Sequence, residues 1–396
     1  MPAGRYWRVA ALLVFVALVP AAPAVAADAP VRLLVATEGK GYLETVDGYR
    51  VLHLKGTPQE MGLQHGRLLK AAVAANVAFL LRDEPGESVK IGDLAVTRPM
   101  LAAVLNQAFA GKVPEAYLRE MAALAEGAGL PADRVVACNL IPEMFHCSGF
   151  ALLAKTTAGR KLCHGRVLDY GVDWRLQDHA VLIIQEPDGK VPFVNVSYAG
   201  FIGSVTGMNT EQISVGEMGG GGVGLWNGIP MAFLVRMVLE TARTLDQAVA
   251  VFRTGPRTCE YYYVVADARA DTAAGLWVTP DKLELVRPGE AHPLLPRPVA
   301  DTVILSAGDR YRLLAERIAA GAGRFTPESA VRLMDAPVAM KSNLHNALMV
   351  PADGVLYVAN AAPDGAPAWK QRYYRFDVRR LMAARPDAAP PDRDQP

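Results

Sequence analysis

Near residue 146 the sequence changes period, and this change limits the possible folds more than any other feature. Upstream, apolar residues recur at helical spacing; downstream they gather into short β-prone runs. Thr57-Pro58-Gln59-Glu60 supplies a cap residue, a proline at the first helical position and a glutamate three residues on, and predicts a helix through Leu81. Helical spacing continues over 100–109 and 114–125, and 127–131 ends it. Strands are predicted at 181–185, 193–197, 212–217, 261–266, 275–278 and 283–286. Helices interrupt them at 230–242 and from the capped Thr244-Leu245-Asp246-Gln247, and another pair follows at 309–320 and 327–334. Strands at 355–359 and 373–376 and a short helix close the chain. Strands in runs and helices in pairs predict an α+β fold, antiparallel sheet covered by helices. With no internal repeat and no clear linker, 28–384 reads as a single domain, mainly helical over 28–146.

The N-terminus predicts the compartment. Arg5 and Arg8 precede an apolar run over 9–19, then Pro20 and the small residues Ala24-Val25-Ala26-Ala27, the pattern of a signal peptide cleaved after residue 27. That run is about half of the roughly 20 residues needed to span a bilayer, and nothing later approaches that length. The mature chain is expected to be exported, either periplasmic or secreted, without integral membrane association. Its last residues, 385–396, rich in Pro and Asp, are expected to be disordered. Loss of the signal leaves 39 basic against 40 acidic side chains, so nothing electrostatic points to nucleic acid or anionic lipid. The four cysteines, at 138, 147, 163 and 259, form no Cys-x-x-Cys pair. No metal and no cofactor is implied, and Cys138, Cys163 and Cys259 could supply one disulfide and a spare.

Directly after the period change stands His146-Cys147-Ser148-Gly149-Phe150. The runs 148–155 and 161–169 flank a turn at Thr156-Thr157-Ala158-Gly159-Arg160, so a hairpin is predicted. A turn centred near Ala158 places Cys147 roughly opposite Asp169, with Arg166 close by. A thiol, a guanidinium and a carboxylate then meet at one sheet end. Other chemistries lack their motifs. There is no Gly-x-Ser-x-Gly elbow, and the seven histidines include no i, i+4 pair. Gly219-Gly220-Gly221-Gly222-Val223-Gly224 lacks the ending of a phosphate loop and is expected to be a mobile loop beside the site. His65, beside Gly66, reads as a helix-packing residue.

These residues resemble a known family. His146 to Phe150, followed by His164-Gly165-Arg166-Val167-Leu168-Asp169-Tyr170, is similar to the acyl-coenzyme A:6-aminopenicillanic acid acyltransferase family of N-terminal-nucleophile enzymes, itself distantly similar to choloylglycine hydrolases. Gly56 to Gly62 with His65-Gly66 resembles its N-terminal helix motif, and Gly228-Ile229-Pro230 through Arg236 its central helix. Thr258 to Asp267 resembles a core strand, and Asp309-Arg310-Tyr311-Arg312 a later helix start.

The resemblance implies an αββα four-layer sandwich and self-cleavage at His146–Cys147, dividing the protein into two chains. The freed α-amine of Cys147 then serves as general base, since its ordinary pKa of about 7.7 to 8.0 suits proton transfer near neutrality. Cys147 would attack an amide carbonyl and form a thioester, discharged by water or an amine. Arg166 would favour thiolate, and Asp169 would orient the amine and Arg166. For the oxyanion or the substrate the candidates are Tyr262, Asn343 and Arg310. Tyrosines stand at 261–263 where relatives carry an asparagine; Asn209, Asn343, Asn346 or backbone N–H groups are alternatives to Tyr262, and Arg312 to Arg310. The expected partner is an N-acylated small molecule or peptide. Two other readings stay open: an uncleaved thiol hydrolase with His164 or His345 as base, and a silent binding protein.

Overall fold

Among the described residues, the alternation of apolar and polar residues after residue 30 is spent on two large sheets and one two-stranded sheet. The structure, a computed structural model, describes residues 30–91, 94–141 and 146–387. The expected signal segment 1–27 and, of the expected tail, residues 388–396 lie outside the described residues.

The larger sheet has 10 strands. In spatial order they are Arg32–Glu38, Gly41–Val46, Tyr49–Gly56, Ala180–Pro187, Phe193–Tyr198, Thr206–Asn209, Ile213–Gly219, Tyr261–Asp267, Thr272–Val278 and Leu283–Val286. Within this sheet, among the described residues, only Tyr49–Gly56 and Ala180–Pro187 pair in parallel. The smaller sheet has six antiparallel strands: Thr302–Leu305, His146–Leu152, Cys163–Asp169, His345–Val350, Val355–Asn360 and Tyr374–Asp377. The sheets face one another, as bonds from His164 to Ser214 and from Arg166 to Glu217 attest. Helices Met231–Thr241 and Leu245–Thr254 cover the outer face of the large sheet, where Phe252 stacks on Tyr263 at 4.2 Å. Helices Gly308–Gly321 and Pro327–Ala330 pack against the small one. The order helices, sheet, sheet, helices is the expected α+β fold with antiparallel sheets covered by helices.

Five strands in the first third, the three before residue 57 and the short pair Val89–Ile91 and Leu94–Val96, were not expected, so that region is less helical than its periodicity suggests. Asp47-Gly48, with φ of 50° and 86°, closes a two-residue turn between paired Val46 and Tyr49. Strands Thr206–Asn209, Thr302–Leu305 and His345–Val350 and helix Ala132–Leu140 are also additional. The predicted helix 58–81 is two helices, Pro58–Leu68 and Lys70–Leu80, parted at Leu69. Its capping box is present: Thr57 accepts from the Glu60 N–H, and Glu60 accepts from the Thr57 N–H. Cys138 and Cys163 are both buried free thiols, so the suggested disulfide among Cys138, Cys163 and Cys259 is not formed.

Helix Pro58–Leu68 crosses helix Glu115–Ala128 at backbone contact. A Cβ at Gly66 would lie 2.2 Å from the Leu124 carbonyl oxygen, and one at Gly62 2.1 Å from that of Glu120. His65, fully buried, accepts from the Gly200 N–H at 3.0 Å, and burial pushes its pKa down to about 3. Gly66→Ala gains helix propensity of about 1 kcal/mol. It also forces the helices apart, so we expect a net loss of about 1–3 kcal/mol in urea unfolding. An unchanged midpoint would mean that the helices do not meet here.

Candidate active site

Cys147 is the second residue of strand His146–Leu152, between Thr302–Leu305 and Cys163–Asp169. The hairpin register differs from expectation by one residue: Cys147 pairs with Leu168, and Asp169 lies opposite His146. The reason is the connection, which forms a 3-10 turn at Ala154–Thr156 and then bonds Ala158 N–H to the Phe325 carbonyl. Since side chains alternate, the slip separates two groups expected together. Cys147, Arg166 and Leu168 face the large sheet, whereas Ser148 and Asp169 face the helix Gly308–Gly321.

On the inner face, Arg166 Nη2 donates to Cys147 Sγ at 3.1 Å and to Glu217 Oε2 at 3.2 Å, while Nε donates to the Glu217 carbonyl at 3.1 Å. Arg166 is wholly buried, and Glu217 holds its fork beneath the sulfur. Burial pushes the Cys147 thiol up to about 12, against the pull of Arg166. Near neutrality the group is therefore a thiol.

On the outer face, Arg310 pairs with Asp169 and donates to Ser148 Oγ at 2.8 Å and to the Val338 carbonyl at 2.6 Å. Asp169 also accepts from the Met340 N–H at 3.0 Å. Burial raises the Asp169 pKa, and Arg310 and the Met340 N–H oppose the rise. Ser148 Oγ lies 2.7 Å from Ser306 Oγ. The arrangement ties the first turn of the cysteine strand to the helix bearing Arg310. Arg312, the alternative, is exposed and pairs with Asp309 and Glu316.

Cys147 opens on a cavity of about 780 Å³, whose lining includes Met218, Tyr262, Trp277, Leu305 and Arg310. Tyr262 thus shares the cavity with Cys147, although its hydroxyl donates to Glu260 Oε1 at 3.0 Å. Asn343 does not line the cavity. Its amide donates to the carbonyls of Leu168 and His345 and to Asn346 Oδ1, and its oxygen accepts from the Trp369 N–H. Asn209 and Asn346 are likewise bonded elsewhere, Asn209 to the carbonyls of Leu239 and Ala242, Asn346 to Tyr373. The histidines considered as bases are engaged away from the thiol. His164 bonds Ser214, and His345 lies between Tyr198 and Thr206. Burial, reinforced by the charge of Arg166, lowers both pKa values, that of His164 to about 3.

The glycine run does border the site, with Gly219 to Gly221 lining the cavity. At Gly220 and Gly221 it continues the pairing with the neighbouring strand. Gly220 N–H donates to the Glu260 carbonyl at 3.0 Å, Glu260 N–H to the Gly221 carbonyl at 2.9 Å, and Gly221 N–H to Glu260 Oε2 at 2.8 Å. A Cβ at Gly220 would lie 2.7 Å from Glu260, which is why glycine stands there.

Sequence reasoning missed Glu217, Ser148 and Ser306. The available signal was chemical: an acidic residue inside the apolar strand Ile213–Gly219, and a serine next to the cysteine.

Residues 159–292 match the family described as acyl-coenzyme A:6-aminopenicillanic acid acyl-transferase, as the sequence resemblance anticipated. The chain is similar to protein dcd1B of Dictyostelium discoideum, 25% identical over 412 aligned positions, covering 92% of this chain and 81% of that protein. It is also similar to acid ceramidase of Rattus norvegicus, 23% identical over 181 residues, or 39% of this chain and 45% of the ceramidase. Among solved structures it matches a Caenorhabditis elegans N-acylethanolamine-hydrolyzing acid amidase ortholog with a TM-score of 0.43 and 18% identity, covering 58% of this chain and all of that one.

Proposed function

We propose that the chain is an exported amidohydrolase of N-acylated small molecules or peptides, with Cys147 as nucleophile after self-cleavage at His146–Cys147. The observation that carries this reading is the Cys147 sulfur in the lining of a large, mainly apolar cavity, accepting a hydrogen bond from a buried arginine. The match over residues 159–292 and the likeness to acid ceramidase support an amide as the bond broken.

A thiol pushed up to about 12 needs a base within reach, and His164 and His345 are bonded elsewhere. Cleavage before Cys147 supplies one at the residue itself. Its α-amine takes the thiol proton as sulfur attacks the amide carbonyl. The leaving amine departs with that proton as the C–N bond breaks. Water then attacks the thioester, gives its proton to the α-amine, and the carboxylic acid leaves as sulfur is reprotonated. An amine in place of water would make the same site an acyltransferase. Arg166 stabilises the developing thiolate, and Asp169, opposite residue 146, stands beside the position of the freed amine.

Intact-mass measurement of active protein is expected to show two chains divided at His146–Cys147, the first lacking residues 1–27 when recovered from the secreted or periplasmic fraction. Full amidase activity in a preparation that remains one chain would overturn the self-cleavage mechanism.

A further inference from the structure

Two carboxylates that line the cavity, Glu260 and Glu284, have no part in the mechanism above, and Glu284 is bonded to His292 at 3.3 Å. Glu260 lines the cavity with Cys147 and is held by three neutral donors. Trp277 Nε1 donates to Oε1 at 2.7 Å, the Tyr262 hydroxyl to Oε1 at 3.0 Å, and the Gly221 N–H to Oε2 at 2.8 Å. Burial works against its charge, yet these donors outweigh it and hold its carboxyl below the ordinary carboxylate value. Among the described residues no lysine, arginine or histidine forms a salt bridge with it. Arg310, the cation that lines the same cavity, is paired with Asp169. The result is a fixed, ionised carboxylate without a salt-bridge partner, facing a cavity whose apolar wall includes Leu276, Leu295 and Leu305.

Its place relative to the sulfur follows from strand register. Met218 lines the cavity with Cys147 and pairs with Tyr262, which in turn pairs with Trp277. Glu260 lies one strand over and two residues along from Met218, about 8 Å at ordinary strand spacings. Cys147 and Glu260 line the same cavity, so one substrate can reach both.

Resting on the amide-cleaving reading of this site, we infer that Glu260 selects substrates whose amine portion carries a positive charge, with an apolar acyl chain in the rest of the cavity. A fixed anion repays the dehydration of a cationic partner and repels an anionic one. The three donors keep the carboxylate in place before the substrate arrives, so little ordering is required on binding.

The test compares three amides with one acyl chain: N-lauroylcadaverine, which is cationic, N-lauroyl-aminopentanol, neutral, and N-lauroyl-aminohexanoate, anionic. Processed wild type is expected to favour the cationic amide over the neutral one by about tenfold or more in kcat/KM and to disfavour the anionic one, with the preference shrinking as salt rises. Glu260→Gln keeps size and polarity but not charge, and is expected to bring the cationic-to-neutral ratio close to one. Equal turnover of all three amides by wild type, or a ratio that survives Glu260→Gln, would overturn the inference while leaving the amidase reading intact. Calorimetry of N-lauroylcadaverine with the uncleavable Cys147→Ala chain separates the two claims. Binding that weakens about tenfold or more when Glu260→Gln is added supports the cation site even if wild type hydrolyses none of the amides. Equal binding with and without Glu260 counts against it.

Discussion

Cys147→Ala is expected to stop amide cleavage, with kcat/KM falling by at least about 10⁴-fold, and to leave the protein as one chain. The loss follows from the proposed chemistry, in which the sulfur is the atom that bonds the acyl group. Folding should survive, because Arg166 keeps both bonds to Glu217 when the sulfur is gone. Thiol reactivity gives an independent readout. In an uncleaved wild-type chain the thiol, pushed up to about 12 chiefly by burial, should react slowly with iodoacetamide near pH 7. Once cleavage exposes the α-amine as a base, the same sulfur should be alkylated faster, and more so as pH rises through the ordinary range of that amine. A Cys147→Ala variant retaining more than a few per cent of wild-type activity would remove Cys147 from the mechanism.

Much of this site was legible because its groups sit on neighbouring strands, where sequence distance converts into spatial distance through one hairpin. The contact of Cys147 with Arg166 was legible in that way, whereas Asp169 lies on the other face of the sheet. The register was misjudged by one because the ten residues between Leu152 and Cys163 do not form a simple turn; they detour to pair Thr157 with Phe325, far along the chain. Glu217 escaped notice for a related reason: it comes from the other sheet, and no local pattern signals which strands of two sheets will face each other. The oxyanion candidates show the same limit. Asn343 is polar and near the right strands, yet its amide is spent on the carbonyls around Leu168. The opening strands are different, since Asp47-Gly48 is a strong local hairpin signal that was present and not used. The helical runs around it drew the reading toward helix.

Arg236→Met is expected to cost about 3–5 kcal/mol in urea unfolding, the largest stability loss predicted for this chain. Arg236 is wholly buried and gives a bidentate pair to Glu120 at 2.9 and 2.7 Å, a bond to Glu240 at 2.8 Å and one to the Ile202 carbonyl at 2.9 Å. Glu240 keeps Lys190 and the Tyr117 hydroxyl when Arg236 is removed, whereas Glu120 is left as a buried charge without its partner. The loss should therefore fall mainly on Glu120, and adding Glu120→Met to Arg236→Met is expected to recover much of it, since a buried ion pair is often replaced by apolar side chains at little cost. A single variant that loses under about 1 kcal/mol, or a double variant worse than the single, would contradict this geometry. The location of the clamp gives it a second consequence. Glu120 and Tyr117 precede the junction at 146–147, and Arg236 and Glu240 follow it. The Asn76 bond to the Ala199 carbonyl and the parallel pairing of Tyr49–Gly56 with Ala180–Pro187 cross it as well. If the protein cuts itself there, these contacts are what keep the two chains together. Arg236→Met should then lower the urea concentration at which the two chains separate in size-exclusion chromatography, which an uncut Cys147→Ala, Arg236→Met chain cannot show.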